Sequence, residues 1–166
     1  KYVRFREPGG NLNAEKIRKL ILNSKLRFNK NTDLLLYLAA RSENIKQLIK
    51  YHNKKIILID RFIDSTIAYQ HYGMGINIKV INFINKFLLK NIKVDFTFLN
   101  VVNKKNLFQR LKKRKSLNRY DQFNFNFYIK VQKGFLKLAK LNKKSYKIIN
   151  SNLDIKQNED LIINQL

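Results

Sequence analysis

Two kinds of apolar segment alternate along this chain, and that alternation limits what it can fold into more than any other feature. Ile56-Ile57-Leu58-Ile59 and Phe96-Thr97-Phe98-Leu99 are short runs that are β-branched or aromatic and end at polar residues. Strands of a parallel sheet buried on both faces read this way. Tyr2 to Phe5 and Tyr146 to Ile149 read as two further strands. Between them the apolar residues fall at helical spacing: Ile17, Leu20 and Ile21; Leu34, Leu35, Leu38 and Ala39; Val80, Ile81, Ile84, Phe87 and Leu88; Phe123, Phe127, Val131 and Phe135. A helix is expected from Phe123 to Lys140 with that last set in the core, and a final helix from Ile155 to Leu166. Strand and helix in alternation predict an α/β sheet covered on both faces.

With 166 residues, 45% of them hydrophobic, and one proline, Pro8, the chain reads as a single domain over 1–166. The absence of cysteine excludes disulfides, thiolate zinc sites and a cysteine nucleophile. Only His52 and His71 are present, so a metal would be held by oxygen. No apolar run approaches the roughly eighteen residues of a membrane span, and Lys1-Tyr2-Val3-Arg4 does not open a signal peptide, so a cytoplasmic protein without a membrane partner is expected. The formal charge of +24 would ordinarily point to nucleic acid. Here lysine, asparagine, isoleucine and phenylalanine are inflated together along the whole chain, as AT-rich coding produces. A solvated lysine surface with no specific nucleic-acid partner is the reading.

In such sheets ligands gather beyond the carboxyl ends of the strands. Arg6-Glu7-Pro8-Gly9-Gly10 follows the first strand, and its turn lets backbone approach a ligand closely. Asp60-Arg61 follows the next; a carboxylate there can hold magnesium, directly or through water, while the guanidinium offers a fork to phosphate. An ion pair or helix cap is the structural alternative. Thr32 or Asp33 can cap the helix that carries Tyr37 and Arg41 four residues apart, an aromatic ring and a guanidinium able to stack on a base and read its edge.

In order along the chain stand Arg6 to Gly10, Ala14-Glu15-Lys16-Ile17-Arg18, Ala39-Ala40-Arg41 and Asp60 to Gln70, the last containing Asp64-Ser65-Thr66-Ile67-Ala68-Tyr69-Gln70. This ordered set resembles the thymidylate kinases. The resemblance implies a P-loop-kinase-like three-layer sandwich with a parallel sheet, and phosphoryl transfer from ATP, with Mg2+, to thymidine monophosphate in dTTP biosynthesis. By position it implies that Tyr37 stacks on thymine, that Arg41 and Gln70 read its edge with Ser65 in the same wall, and that Arg6, Arg18 and Arg61 bind the substrate, the last two gripping its phosphate. Glu7 and Asp60 become catalytic carboxylates, with Asp60 near the magnesium. Leu107 to Tyr120-Asp121, with Arg110, Arg114 and Arg119, matches the lid that closes over ATP, with Arg114 and Arg119 as its catalytic arginines. A homodimer is also implied.

That family opens with a strand, a Walker loop and a helix. No Gly-x-x-x-x-Gly-Lys occurs in these 166 residues, and the chain starts at Lys1. The first strand and P-loop are therefore expected to belong to a longer protein, and these residues alone are expected to fold poorly and lack kinase activity. The alternatives are a non-catalytic remnant, a basic nucleic-acid-binding module, and a kinase for another deoxynucleotide.

Overall fold

The computed structural model describes residues 1–114 and 116–165. Four short parallel strands carry the architecture: β1 (Tyr2–Arg6), β2 (Ile56–Asp60), β3 (Thr97–Val101) and β4 (Tyr146–Asn150). They form two separate ladders. Tyr2 to Arg6 pair in register with Ile56 to Asp60, and Thr97 to Val101 with Tyr146 to Asn150. Parallel neighbours need a crossover, and helices supply it on this chain. Between β1 and β2 run α1 (Leu12–Leu22) and α2 (Lys30–Tyr51). Between β2 and β3 come α3 (Ile63–Thr66), a π-helical turn over Ile67–Gly73, and α4 (Ile78–Leu89). Between β3 and β4 lie α5 (Lys104–Lys112), a 3₁₀ turn (Arg119–Gln122) and α6 (Phe125–Leu141), and α7 (Ile155–Ile163) comes after β4.

The four strands fall where the apolar runs place them, each within two residues of its expected limits. Their burial differs from expectation. Phe5, Ile57 and Ile59 pack against Ile45, Leu48 and Leu89, but Ile56 and Leu58 are exposed by 66% and 47%. Among the described residues the β1–β2 ladder is covered on one face, so residues pointing the other way stay open to solvent. An unbroken apolar run cannot report which of its two faces is covered.

Helix starts follow asparagine. Asn11, Asn29, Asn77, Asn103 and Asn124 each turn a side-chain oxygen onto a backbone N–H of the first turn of α1, α2, α4, α5 and α6. Thr32 and Asp33, expected as caps of α2, are not: Asn29 accepts from Asn31 and Thr32, which starts the helix earlier and frees Asp33 to point inward. The last long helix likewise starts at Phe125. Phe123 lies ahead of it and stacks on Phe127 at 4.2 Å.

The π-helical turn sits against α6 through two glycines. A Cβ on Gly73 would stand 2.6 Å from the Phe127 ring, and one on Gly134 would stand 2.5 Å from the Tyr72 ring. That close approach seats Tyr69 among Phe127, Phe135 and Tyr120. Across the molecule, the Tyr146 hydroxyl of β4 donates to Asp64 of α3, tying the two halves together. No helix among the described residues is long and apolar enough to cross a membrane.

Gly134→Ala is expected to force Tyr72 off α6 and to cost about 1–3 kcal/mol, as overpacked cores do. Urea unfolding should show a lower midpoint with an unchanged slope.

Candidate functional site

The exits of β1 and β2 are stitched together, since the Glu7 amide donates to the Asp60 carbonyl at 2.9 Å. The turn after β1 is held from several sides. Arg18 donates to the Pro8 carbonyl at 2.6 Å, and Asn44 to that of Gly9 at 2.7 Å. Glu15 accepts from the Gly10 amide at 2.9 Å and from Arg6 at 2.8 Å. Gly9 and Gly10 have φ of 120° and 107°, in the region that favours glycine, so the Gly-Gly pair is what permits this turn. After β2, Arg61 also takes a positive φ, 64°, which a non-glycine residue adopts at a cost. The strained backbone sends its guanidinium over the Tyr69 ring, 5.4 Å from the centroid.

Helix α2 supplies the opposite wall. Tyr37 meets Tyr120 edge to face at 5.9 Å. Burial pushes the Tyr37 hydroxyl up to about 12, against the pull of nearby Arg61 and Arg18. Tyr69 meets Tyr120 as well, so the Arg61 guanidinium and the Tyr37 ring belong to one aromatic cluster. Ser65 lies partly buried on α3.

Arg41 is almost fully enclosed, 2% exposed, and shapes the floor beneath them. Its Nε donates to Glu7 at 2.8 Å, Nη1 to Asn85 at 2.6 Å and Nη2 to Thr66 at 2.9 Å. Nη2 also lies 2.7 Å from Glu7 Oε2 in an ion pair. Nη1 keeps its second hydrogen. Burial pushes the Glu7 carboxyl up, and Arg41 pulls the other way. Glu7 Oε1, Asn85 Nδ2 and Gln70 Oε1 are buried with no hydrogen-bond partner. Buried polar atoms are nearly always satisfied, so the orphans of Glu7 and Asn85 around Arg41, and that of Gln70 beside Asp33 and Tyr120, are atoms a polar ligand could complete.

Asp60 is exposed at the strand exit, and no group of three or more acidic or histidine side chains among the described residues could cage a metal. One accessible carboxylate fits magnesium, which usually keeps its waters and takes one or two carboxylates besides phosphate oxygens.

The arginines expected in the lid divide. Arg114 is half-exposed and pairs with Asp121, while Arg110 donates to the Ser151 carbonyl at 2.6 Å. Arg119, expected to project from the lid, is buried. It pairs with Asp33, donates from Nε to the Ile21 carbonyl at 2.8 Å and lies over Phe28 and Tyr120. Position 115 of the lid segment lies outside the described residues.

Tyr69, Thr66 and Asn85 join the site without any role expected from the sequence, and Asp33 joins it although expected only as a helix cap. For Asp33 a signal exists: it stands four residues before Tyr37 and eight before Arg41, on the same face of α2. For Asn85 there is none, because it reaches Arg41 only through the packing of α4 on α2.

Comparisons with known proteins agree with this arrangement. A family model described as "Thymidylate kinase" matches residues 1–162. The chain is similar to the thymidylate kinase of Thermosipho africanus, 39% identical over 143 residues that cover 85% of this chain and 71% of the relative. It is also similar to that of Mycoplasma capricolum, 39% identical over 160 residues covering 92% and 74%. The crystal structure of thymidylate kinase from Ehrlichia chaffeensis superposes with a TM-score of 0.75 at 30% identity, covering 99% of this chain and 81% of that one.

The Gly10 amide first, and then Arg6, hold the Glu15 carboxyl below the usual carboxylate range. A depressed folded value contributes stability that is present above the unfolded value and is lost as pH falls through the folded one. Glu15→Gln should therefore reduce the slope of stability against pH in the acid range, measured by urea unfolding at stepped pH.

Proposed function

We propose that this chain, which belongs to the thymidylate kinase family, builds at the exits of β1 and β2 the pocket that receives thymidine monophosphate for phosphoryl transfer. The observation that carries the reading is the aromatic cluster of Tyr37, Tyr120 and Tyr69, with the Arg61 guanidinium from the β2 exit lying over Tyr69 and the buried Gln70 amide against Tyr120. Tyr37 offers a face to the base. Arg18 and Arg61 supply charge-assisted hydrogen bonds to its phosphate, with Arg6 at the rim. Arg41 has one Nη1 hydrogen to give, enough for a single carbonyl oxygen on the base edge. Ser65 completes the wall.

ATP is the phosphoryl donor in this reading. Asp60 would hold Mg2+, which supplies charge neutralisation between phosphates when bound. Glu7, kept in place by Arg41, presents Oε1 toward the reacting end of the acceptor. Arg114, half-exposed on the lid, brings positive charge to the transferring group when the lid closes. Arg119 is better suited to fastening the base of that lid, because its hydrogens are committed inside the fold. The nucleic-acid alternative is not favoured, since the matches run to one kinase family over nearly the whole chain. A cytoplasmic location accords with a nucleotide substrate.

The chain would act as a homodimer. Val80, Phe83 and Phe87 form an exposed stripe on α4, open by 46%, 74% and 73%, and a two-fold partner would cover it with the same stripe. Sedimentation should show a dimer that the Phe83→Glu, Phe87→Glu variant converts to a monomer.

Arg61→Ala should weaken thymidine monophosphate binding at least tenfold by titration calorimetry, equivalent to about 1.5–3 kcal/mol for a hydrogen bond to a charged group. Thymidine, which lacks the phosphate, should bind the variant as it binds the parent. Equal losses for both ligands would remove Arg61 from the phosphate site.

A further inference from the structure

Among the described residues Asp33 is the buried carboxylate with the most hydrogen-bond donors, and the proposed function gives it no role. It is 1% exposed and accepts from three donors on two segments. Arg119 donates to Oδ1 and the Tyr120 hydroxyl donates to Oδ2, both from the 3₁₀ turn Arg119–Gln122. The third donor is Gln70 Nε2, 3.1 Å from Oδ2 and reaching in from the π-helical turn. Gln70 Nε2 also lies 3.4 Å from the Tyr120 hydroxyl oxygen.

These contacts determine which way the Gln70 amide faces. A carboxylate can only accept, and Tyr120 has already given its proton to Asp33, so both neighbours of the amide at that end are acceptors. Turning the amide over would set its carbonyl oxygen against a carboxylate. The NH2 must therefore face Asp33, and Oε1 faces the other way. Oε1 is buried and finds no partner in the protein, although Gln70 is fully enclosed. An orphaned buried acceptor calls for a donor from outside.

We infer that Asp33 is a specificity-determining positioning residue: by locking the Gln70 amide it presents Oε1 as an obligatory acceptor for a pyrimidine that carries hydrogen on N3. This rests on the reading that Gln70 meets the base edge. Thymine and uracil carry that hydrogen. Cytosine has a lone pair there, which would face Oε1 acceptor to acceptor, and a site built around a fixed polar group rejects a ligand that cannot complete it. In Asp33→Asn the new amide can accept or donate, so Gln70 is free to turn and to offer NH2 to cytosine instead.

The test is calorimetric titration of the full chain with deoxyuridine and deoxycytidine monophosphates, whose bases differ only along that edge. Any preference due to Arg41 is common to parent and variant and cancels in their comparison. Asp33→Asn is expected to lower the ratio of the two affinities at least tenfold, and the same change should have no further effect on the ratio in a Gln70→Ala background. If Asp33→Asn weakens both nucleotides equally, or leaves the ratio intact while Gln70→Ala lowers it, Asp33 is merely structural and the inference falls. If Gln70→Ala itself leaves affinity and ratio unchanged, the base-edge reading fails and takes the inference with it. Should Asp33→Asn not fold because Arg119 loses its counter-charge, Asp33→Asn with Arg119→Gln carries the same comparison and is read in the same way.

Discussion

The ion pair between Glu7 and Arg41 joins the exit of β1 to the middle of α2, and the site around it takes its shape from that join. Both groups are buried, at 6% and 2% exposure, so neither can exchange its partner for water. Removing one member of such a pair typically costs several kcal/mol, because the other is left charged and dry. Arg41 spreads the constraint further. By also donating to Thr66 and Asn85 it sets α3 and α4 against the same point, and Glu7 meets the exit of β2 through the Asp60 carbonyl. Four elements thus converge on one guanidinium.

A second buried pair, Asp33 with Arg119, stands two turns earlier on the same face of α2 and does for the 3₁₀ turn Arg119–Gln122 what Arg41 does for the strand exits. Between the two lies Tyr37, whose ring is one edge of an aromatic cluster running through Tyr120 and Tyr69 to Phe127. The π-helical turn belongs to this arrangement. Such turns occur often at functional sites, and here the turn sets Tyr69 against the cluster, Gln70 against Asp33, and Gly73 against α6. Buried Arg119 and Tyr120 fasten the end of the segment expected to form the lid against Asp33 of α2.

Much of this is legible along the chain, and for definite reasons. The four strands are visible because β-branched and aromatic runs need no tertiary context to stand out. The strand exits are visible because Arg6 to Gly10 and Asp60-Arg61 place charge and glycine where a ligand can approach. Asp33 reads wrongly as a cap because an acidic residue near a helix start is usually one, and nothing local shows that Asn29 has already taken that place. Arg119 reads as a lid cation beside lysines, since burial is decided by Phe28, Ile21 and Asp33, which are distant in sequence.

The sequence by itself determined the order of strands and helices and the family, because these arise from local periodicity and from short ordered motifs. Only the tertiary structure decided which cations stay available and which are spent inside. A guanidinium on a helix face looks the same in the chain whether it will reach a phosphate, as Arg61 can, or be enclosed by a carboxylate, a hydroxyl and an amide, as Arg41 is. The difference is made by partners up to 44 residues away, which only packing brings within hydrogen-bonding distance.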